Sequence, residues 1–144
     1  MSLRIAAVVA AAVCLVGCGE KVETTLSGDQ QVPAVTTSAT GTATAELYGE
    51  TLEVEGSFEG LQSDLLVAAG SSAHVHRAAR GASGPIVFNL TVTPAADNRS
   101  GTFKGSSTLS ADDLENYRNG LLYVNVHSTD HPTGEIRGQI EPKP

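Results

Sequence analysis

The sequence has no tryptophan, one methionine, three tyrosines and three phenylalanines among its 144 residues. Any core must therefore be packed mainly with aliphatic side chains. Glycine, alanine, threonine, serine and valine are plentiful, which favours a small β-fold over a helical bundle. Positive charge is also scarce, since nine lysines and arginines stand against sixteen acidic residues, for a net charge of −7. This balance argues against nucleic acid as a partner.

Cysteine occurs only twice, at Cys14 and Cys18, and both positions belong to the N-terminal segment. Arg4 is followed there by an apolar run over residues 5–16. The run is too short to favour a membrane span and is typical of the hydrophobic region of a signal peptide. It ends in the letters LVGC, with Cys18 last, and this ending resembles the lipobox of bacterial lipoproteins.

The lipobox resemblance implies a bacterial lipoprotein whose signal peptide is residues 1–17. Cys18 then becomes the first residue and carries acyl chains such as palmitate, which anchor the protein to a membrane of the bacterial cell envelope on its extracytoplasmic side. Residues 18–25 are expected to be the lipidated cysteine and a polar tether. The alternative is an ordinary secretory signal with a chance cysteine. The sequence does not distinguish an inner from an outer membrane.

Period-two patterns separated by turn residues predict one β-domain over residues 26–142. The stretch ATGTATAELYGETLEVEGSFEG predicts a hairpin with its turn near Gly49. On its second arm one face is apolar and the other is acidic and solvated. The apolar face comprises Leu52, Val54 and Phe58, and the acidic face comprises Glu53, Glu55 and Glu59.

Further strands are predicted in SSAHVHR, GPIVFNLTVT, SGTFKGSSTL, LLYVNVHS and GEIRGQIE. One helix is predicted in SADDLENYRNG, where Ser110 can cap its start and Gly120 can end it. Short strands at regular spacing with one short helix predict an all-β fold, an antiparallel Greek-key β-sandwich or barrel.

The four histidines fall in two blocks, His74 and His76 in AHVHRA, and His127 and His131 near the C-terminus. Strand residues two apart point to the same face, so the first pair can converge on one ion. If the two blocks lie on neighbouring strands, all four rings can reach one point. An imidazole site suits Cu(II) or Zn(II), and the affinity order of divalent ions puts copper first. Asp130 is an optional ligand or a side chain that orients a ring.

A second interpretation needs no metal, because Asn125 or Asp130 could simply hydrogen-bond a histidine ring. Arg137 also has two interpretations. It could lie beside a metal or an anion, but a strand arginine flanked by Glu135 and Gln139 on its own face is more often a solvated ion-pair partner. The sequence favours the solvated ion pair.

Three blocks, LSGDQQVPAVTTSATGTATAEL, AHVHRAARGASGPIVFNL and YVNVHSTDHPTGEIRGQI, together resemble the CHRD domain, a module named after chordin. The likeness runs from about residue 26 to residue 140. In animals the family includes an extracellular protein that binds growth factors. A fainter likeness is to copper–zinc superoxide dismutases, which carry an H-V-H pair, a late copper ligand that His127 resembles, and an arginine near the metal that Arg137 resembles. A ligand-rich zinc loop and a disulfide have no counterpart here.

These observations predict an envelope-anchored lipoprotein whose CHRD domain binds a transition metal, copper or alternatively zinc, through the four histidines, with Asp130 and Arg137 nearby. One alternative is a non-catalytic interaction or structural module with an unknown protein partner. Another is a copper-only superoxide dismutase. The sequence holds no G-x-S-x-G nucleophile elbow, and it leans away from an enzyme without deciding the question. It specifies neither the metal nor the oligomeric state.

Overall fold

Alternating apolar and polar residues build one antiparallel sheet of eight strands that curls into a nearly closed barrel. A computed structural model describes residues 20–143. The elements are β1 (Glu20–Leu26), a 3-10 turn (Gly28–Gln30), β2 (Thr40–Tyr48), β3 (Thr51–Glu59), β4 (Ala73–Arg77), β5 (Ile86–Pro94), β6 (Gly101–Thr108), α1 (Ala111–Arg118), β7 (Leu122–Val126) and β8 (Ile136–Ile140).

The strand order is β1-β2-β3-β6-β5-β4-β7-β8, and every pair is antiparallel. Strands β4, β5 and β6 follow one another, and β7 returns to lie beside β4, which is a Greek-key arrangement. The two end strands meet where Ser27 and Arg137 exchange two backbone hydrogen bonds of 3.0 Å. The predicted all-β Greek-key barrel with one short helix is confirmed.

The core lies inside the barrel and is formed by the apolar face of each strand. Leu52, Val54 and Phe58 on β3 are buried there as predicted, while the glutamates that alternate with them are exposed. Phe103 on β6 stacks on Phe58 with ring centroids 6.5 Å apart. Gly56 makes room for this ring, because a Cβ at that position would lie 2.4 Å from Cζ of Phe103.

The single predicted helix is observed with its predicted ends. The hydroxyl of Ser110 accepts a hydrogen bond of 3.1 Å from the backbone N–H of Asp113, which caps the first turn. Gly120 follows the helix with a φ of +69°, a conformation in which glycine is favoured. Leu114 and Tyr117 anchor the helix to the core. No helix within residues 20–143 has the length and apolarity needed to span a membrane.

Two predictions need correction. The tether expected over residues 18–25 is wrong from residue 20 onward, because these residues form β1 and bury Val22 and Leu26 against the core. Cys18 and the rest of the expected signal segment lie outside the described residues. The alternation of GPIVFNLTVT predicts Ile86, Phe88, Leu90 and Val92 on one side of the strand. In β5 this alternation is broken by a bulge opposite Val75 and His76, which leaves Ile86 exposed at the start of the strand.

The same substitution at two valines should separate core packing from surface effects. Val54 is 1% exposed and Val67 is 70% exposed. Val54→Ala should lower the free energy of unfolding by about 2 kcal/mol, because it removes two buried methyl groups and leaves a cavity. Val67→Ala should change it by less than about 0.5 kcal/mol. Urea unfolding at neutral pH measures both, and equal effects would contradict this placement of the core.

Candidate metal centre

The outer face of β4, β7 and β8 carries polar side chains that are buried, because four connecting segments fold over it. They are residues 27–39, between β1 and β2, residues 60–72, between β3 and β4, residues 78–85, between β4 and β5, and residues 127–135, between β7 and β8. The buried polar side chains on this face and at its edge are His74, Asn125, His127, Glu135, Arg137 and Gln139.

The strand register brings three histidines together on this face. His74 and His76 lie two apart on β4, as the AHVH pattern predicts, and β4 pairs directly with β7. His127 stands one residue past the end of β7. One ring nitrogen from each of these three histidines lies within 4.8 Å of the others. The two sequence blocks therefore meet, as expected for neighbouring strands.

Each of the three rings uses one nitrogen to bind a backbone carbonyl of a covering loop. A carbonyl oxygen can only accept, so the bonded ring nitrogen carries the proton and the tautomer is fixed. The pairs are His74 Nε2 with the oxygen of Ala68, His76 Nδ1 with that of Gly84, and His127 Nδ1 with that of Pro132, each at 2.9 Å.

The remaining ring nitrogens of the neutral histidines carry lone pairs. Nδ1 of His74 faces Nε2 of His127 at 2.9 Å. Nε2 of His76 is buried and has no hydrogen-bond partner among the described protein atoms. Two lone pairs that face each other at this distance repel unless a proton or a metal cation lies between them. The geometry therefore favours a positive charge between these two nitrogens.

Burial makes a proton a poor source of that charge. The pKa of His127 is lowered to about 4, mainly by burial and to a smaller extent by the neighbouring His74 and His76, while the hydrogen bond to the Pro132 carbonyl opposes the shift. Burial also lowers the pKa of His74 and of His76, and the carbonyls that bind them offset only part of the effect. All three rings are therefore neutral near pH 7, which is the form that binds metals.

The structure does not bring His131 or Asp130 into this group. His131 lies in the turn after β7, and its Nε2 is 2.7 Å from Oε1 of Gln62. Asp130 is exposed, and its backbone N–H donates to the hydroxyl of Ser63. The sequence suggested Asp130 as the side chain that orients a ring. The carbonyl of Pro132 does this for His127 instead.

A family model described as the CHRD domain matches residues 22–140. The chain belongs to the CHRD family. The match spans all three clustered histidines and the loops that cover them, so the cluster lies inside the family domain. No curated protein and no solved structure matches the chain.

Arg137 in this CHRD domain is not the solvated ion-pair partner that the sequence favoured. It is 1% exposed, and its guanidinium donates to the carbonyls of Ala79 and Ala82. Its Cζ lies 3.6 Å from the ring centroid of Tyr123, a cation–π contact. The same tyrosine ring stacks on His76 at 5.0 Å. Since β7 lies between β4 and β8, the tyrosine separates the guanidinium from the histidines.

Glu135 and Gln139, expected to be solvated beside Arg137, are buried as well. The Glu135 carboxylate accepts hydrogen bonds from the hydroxyls of Thr37 and Ser128 and from the backbone N–H of Gln62. The expectation failed because the loops that cover β8 in the CHRD domain come from distant parts of the sequence. Alternation along the strand identifies the outer face but not what covers it.

The sequence predicts the three clustered histidines of the CHRD domain but not the groups that hold them. The carbonyls of Ala68, Gly84 and Pro132 leave no sequence signal, because every residue has a carbonyl. Asn125 did leave one, since LYVNVH places it on the same face as His127, directly opposite His74. From the sequence alone, this position predicts no more than a hydrogen-bond partner of a ring.

The metal-free CHRD domain should lose stability as the pH falls from about 6.5 toward 4. His127 binds a proton in the unfolded chain below its ordinary pKa of 6.5, whereas in the folded chain its pKa is about 4. The unfolded state binds more protons in this pH range, so the free energy of unfolding decreases as the pH is lowered. At about 1.4 kcal/mol per pKa unit the loss is on the order of 3 kcal/mol.

Urea unfolding in the presence of a chelator at pH 7.5, 6 and 4.5 measures this effect. A His127→Gln variant is the control, because it keeps the other titrating groups and removes this one. The variant should show a shallower dependence on pH than the unchanged chain. Equal slopes for the two proteins would contradict the lowered pKa of His127.

Proposed function

We propose that this CHRD domain binds one divalent transition-metal ion through His74, His76 and His127. The observation that carries the proposal is the set of three fixed tautomers, which leaves one lone pair on each ring. Metal-binding histidines commonly donate their second N–H to a carbonyl or carboxylate, which fixes the tautomer and orients the ring. All three rings in this cluster donate such an N–H to a loop carbonyl.

The distances within the cluster suit a small ion. Metal–nitrogen bonds of about 2.0 Å place the ligands of a tetrahedral ion roughly 3.3 Å apart. The nitrogens of His74 and His127 are 2.9 Å apart, and the three ligand atoms lie within 4.8 Å of one another. Small rotations of the rings would therefore bring all three to bonding distance. Two of the rings stand on β4, so their relative position is fixed by the strand.

The donor set supports copper first and zinc second. Imidazole suits both metals, and copper heads the affinity order of the divalent first-row ions. No carboxylate lies among the ligand atoms of the described cluster, which gives no reason to prefer calcium or magnesium. The role of such a site would be to sequester, deliver or sense the metal. Catalysis is not part of this proposal.

Calorimetric titration with Cu(II) and with Zn(II) tests the proposed site. The protein is the chain from residue 19, which contains all the strands and the core described for residues 20–143. We expect one-to-one binding, with Cu(II) tighter than Zn(II). The double variant His74→Ala/His76→Ala should lose it, because two of the three donors are gone. His131→Ala is the matched control and should bind as the unchanged chain does, because His131 contacts Gln62 instead.

Two outcomes would contradict parts of the proposal. Equal loss of binding in His131→Ala would make that histidine a ligand after all. No binding by the unchanged chain would leave the histidines as hydrogen-bonding residues and favour the alternative of a non-catalytic interaction module.

The large apolar side chains that are exposed in residues 20–143 belong to three separate segments. They are Tyr48, Val67 and Ile86.

We also propose that the protein is a lipoprotein held at the bacterial envelope through Cys18. The support is the sequence alone, a short apolar run that ends in LVGC. Since β1 begins at Glu20, the proposed anchor would hold the barrel within a few residues of the membrane surface. That position would place the metal site outside the cytoplasm.

The two cysteines provide a matched test of the anchor. Cys18→Ser in the full chain should abolish labelling by radioactive palmitate and move the protein from the membrane fraction to the soluble fraction. Cys14→Ser should change neither, because that residue belongs to the segment expected to be removed. Membrane association that persists in Cys18→Ser would count against lipidation at this residue.

A further inference from the structure

Asn125 stands at the centre of the histidine cluster. The register places it directly opposite His74, and His127 follows two residues later on the same face. His76 pairs with Tyr123, so it is the diagonal neighbour of Asn125. Side chains that face each other across antiparallel strands have Cβ atoms about 4.5–5.5 Å apart. Asn125 therefore borders all three histidines.

The amide of Asn125 is buried and only partly satisfied. The residue is 2% exposed, and its Oδ1 has no hydrogen-bond partner among the described protein atoms. Its Nδ2 donates to the carbonyl oxygen of Thr133 at 3.5 Å, and because a carbonyl oxygen can only accept, the NH2 end of the amide is the end that faces it. A Cβ at Gly134 would lie 2.9 Å from the same Nδ2. The nitrogen end thus points to the loop of residues 133–134, and the oxygen end points away from it.

The oxygen end points toward the rings. The strand register sets Asn125 beside His74 and diagonal to His76 on the same face. Because the nitrogen end of its amide faces the loop carbonyl of Thr133, the oxygen end is the one that faces the rings. The neutral rings already donate their N–H groups to carbonyls, so they have no proton left for this oxygen.

Three ring nitrogens and one amide oxygen, all acceptors, therefore face one another, and no donor from residues 20–143 lies between them. Buried polar atoms without a partner are rare in proteins and call for an explanation. We propose that Oδ1 of Asn125 is the fourth donor to the ion bound by His74, His76 and His127, which makes the site a set of three nitrogens and one oxygen. This inference rests on the function proposed above.

The fourth donor has a consequence for the metal. An amide oxygen is a hard ligand, which suits divalent ions, whereas Cu(I) is selected by soft sulfur ligands. The oxygen therefore contributes more to the binding of Cu(II) and Zn(II) than to that of Cu(I). It stabilises Cu(II) over Cu(I) in the site and therefore lowers the reduction potential of bound copper.

Asn125→Leu tests the fourth donor, because leucine has nearly the same shape and lacks the oxygen. Its affinity for Cu(II) and Zn(II) should fall about tenfold or more, the usual cost of losing a supporting group. Its affinity for Cu(I) should change much less. The reduction potential of bound copper should rise by about 59 mV for each tenfold difference between the two losses. Competition titrations and voltammetry on the chain from residue 19 measure these quantities.

Asn125→Asp is a second variant that restores an oxygen donor and adds a negative charge. It should bind Cu(II) at least as tightly as the unchanged chain and hold copper at an equal or lower reduction potential. Asn116→Leu, on α1 and outside the cluster, is the matched control for the leucine substitution and should change nothing. Circular dichroism checks that each variant is folded.

The outcomes separate this inference from the proposed function. If the unchanged chain binds copper and Asn125→Leu binds Cu(II) and Cu(I) with the same affinities, the fourth donor is refuted and the three-histidine site stands. If Asn125→Leu does not fold, a higher reduction potential in Asn125→Asp than in the unchanged chain refutes it equally. If the unchanged chain binds no metal, both proposals fail together.

Discussion

The polar side chains on the outer face of β4, β7 and β8 must find hydrogen-bond partners, because loops exclude water from that face. An unsatisfied buried donor or acceptor costs about 1–3 kcal/mol, a large fraction of the stability of a small domain. Backbone groups of the covering loops provide many of these partners. The guanidinium of Arg137 donates to the carbonyls of Ala79 and Ala82, and the carboxylate of Glu135 accepts from the backbone N–H of Gln62. The hydrogen bonds that satisfy the buried polar side chains of the strands therefore also hold the loops in place.

The histidines obey this rule only in part, and that exception is what gives the site its chemistry. Each ring satisfies its N–H with a loop carbonyl and directs its other nitrogen toward the other two rings. A purely structural histidine would normally find a donor for that nitrogen. Here the facing groups among the described residues are further acceptors, which is the arrangement that the proposed metal ion would satisfy. Since burial favours the neutral rings, the proposed ion would suit the cluster better than a proton does.

Sequence periodicity predicts which face of each strand is apolar, and this was enough for the fold. It placed Leu52, Val54 and Phe58 in the core and put His74 and His76 on one side of β4. It did not predict that Arg137 is buried, because burial on the outer face depends on loops whose contacts are far apart in sequence. Arg137 and Ala82 are 55 residues apart. The alternation of apolar and polar residues along one strand carries no information about such contacts.

The arrangement also divides the site into a part that is held by the sheet and a part that is held by a loop. His74 and His76 stand within β4, between two hydrogen-bonded neighbours, so their relative position is fixed by the sheet. His127 lies past the end of β7, and its ring is held by the loop carbonyl of Pro132. An ion that joins all three would therefore tie the loop of residues 127–135 to the barrel. Ligands that bind only the folded state stabilise it in proportion to the logarithm of their concentration over Kd, so the proposed ion would stabilise the folded barrel with that loop in place.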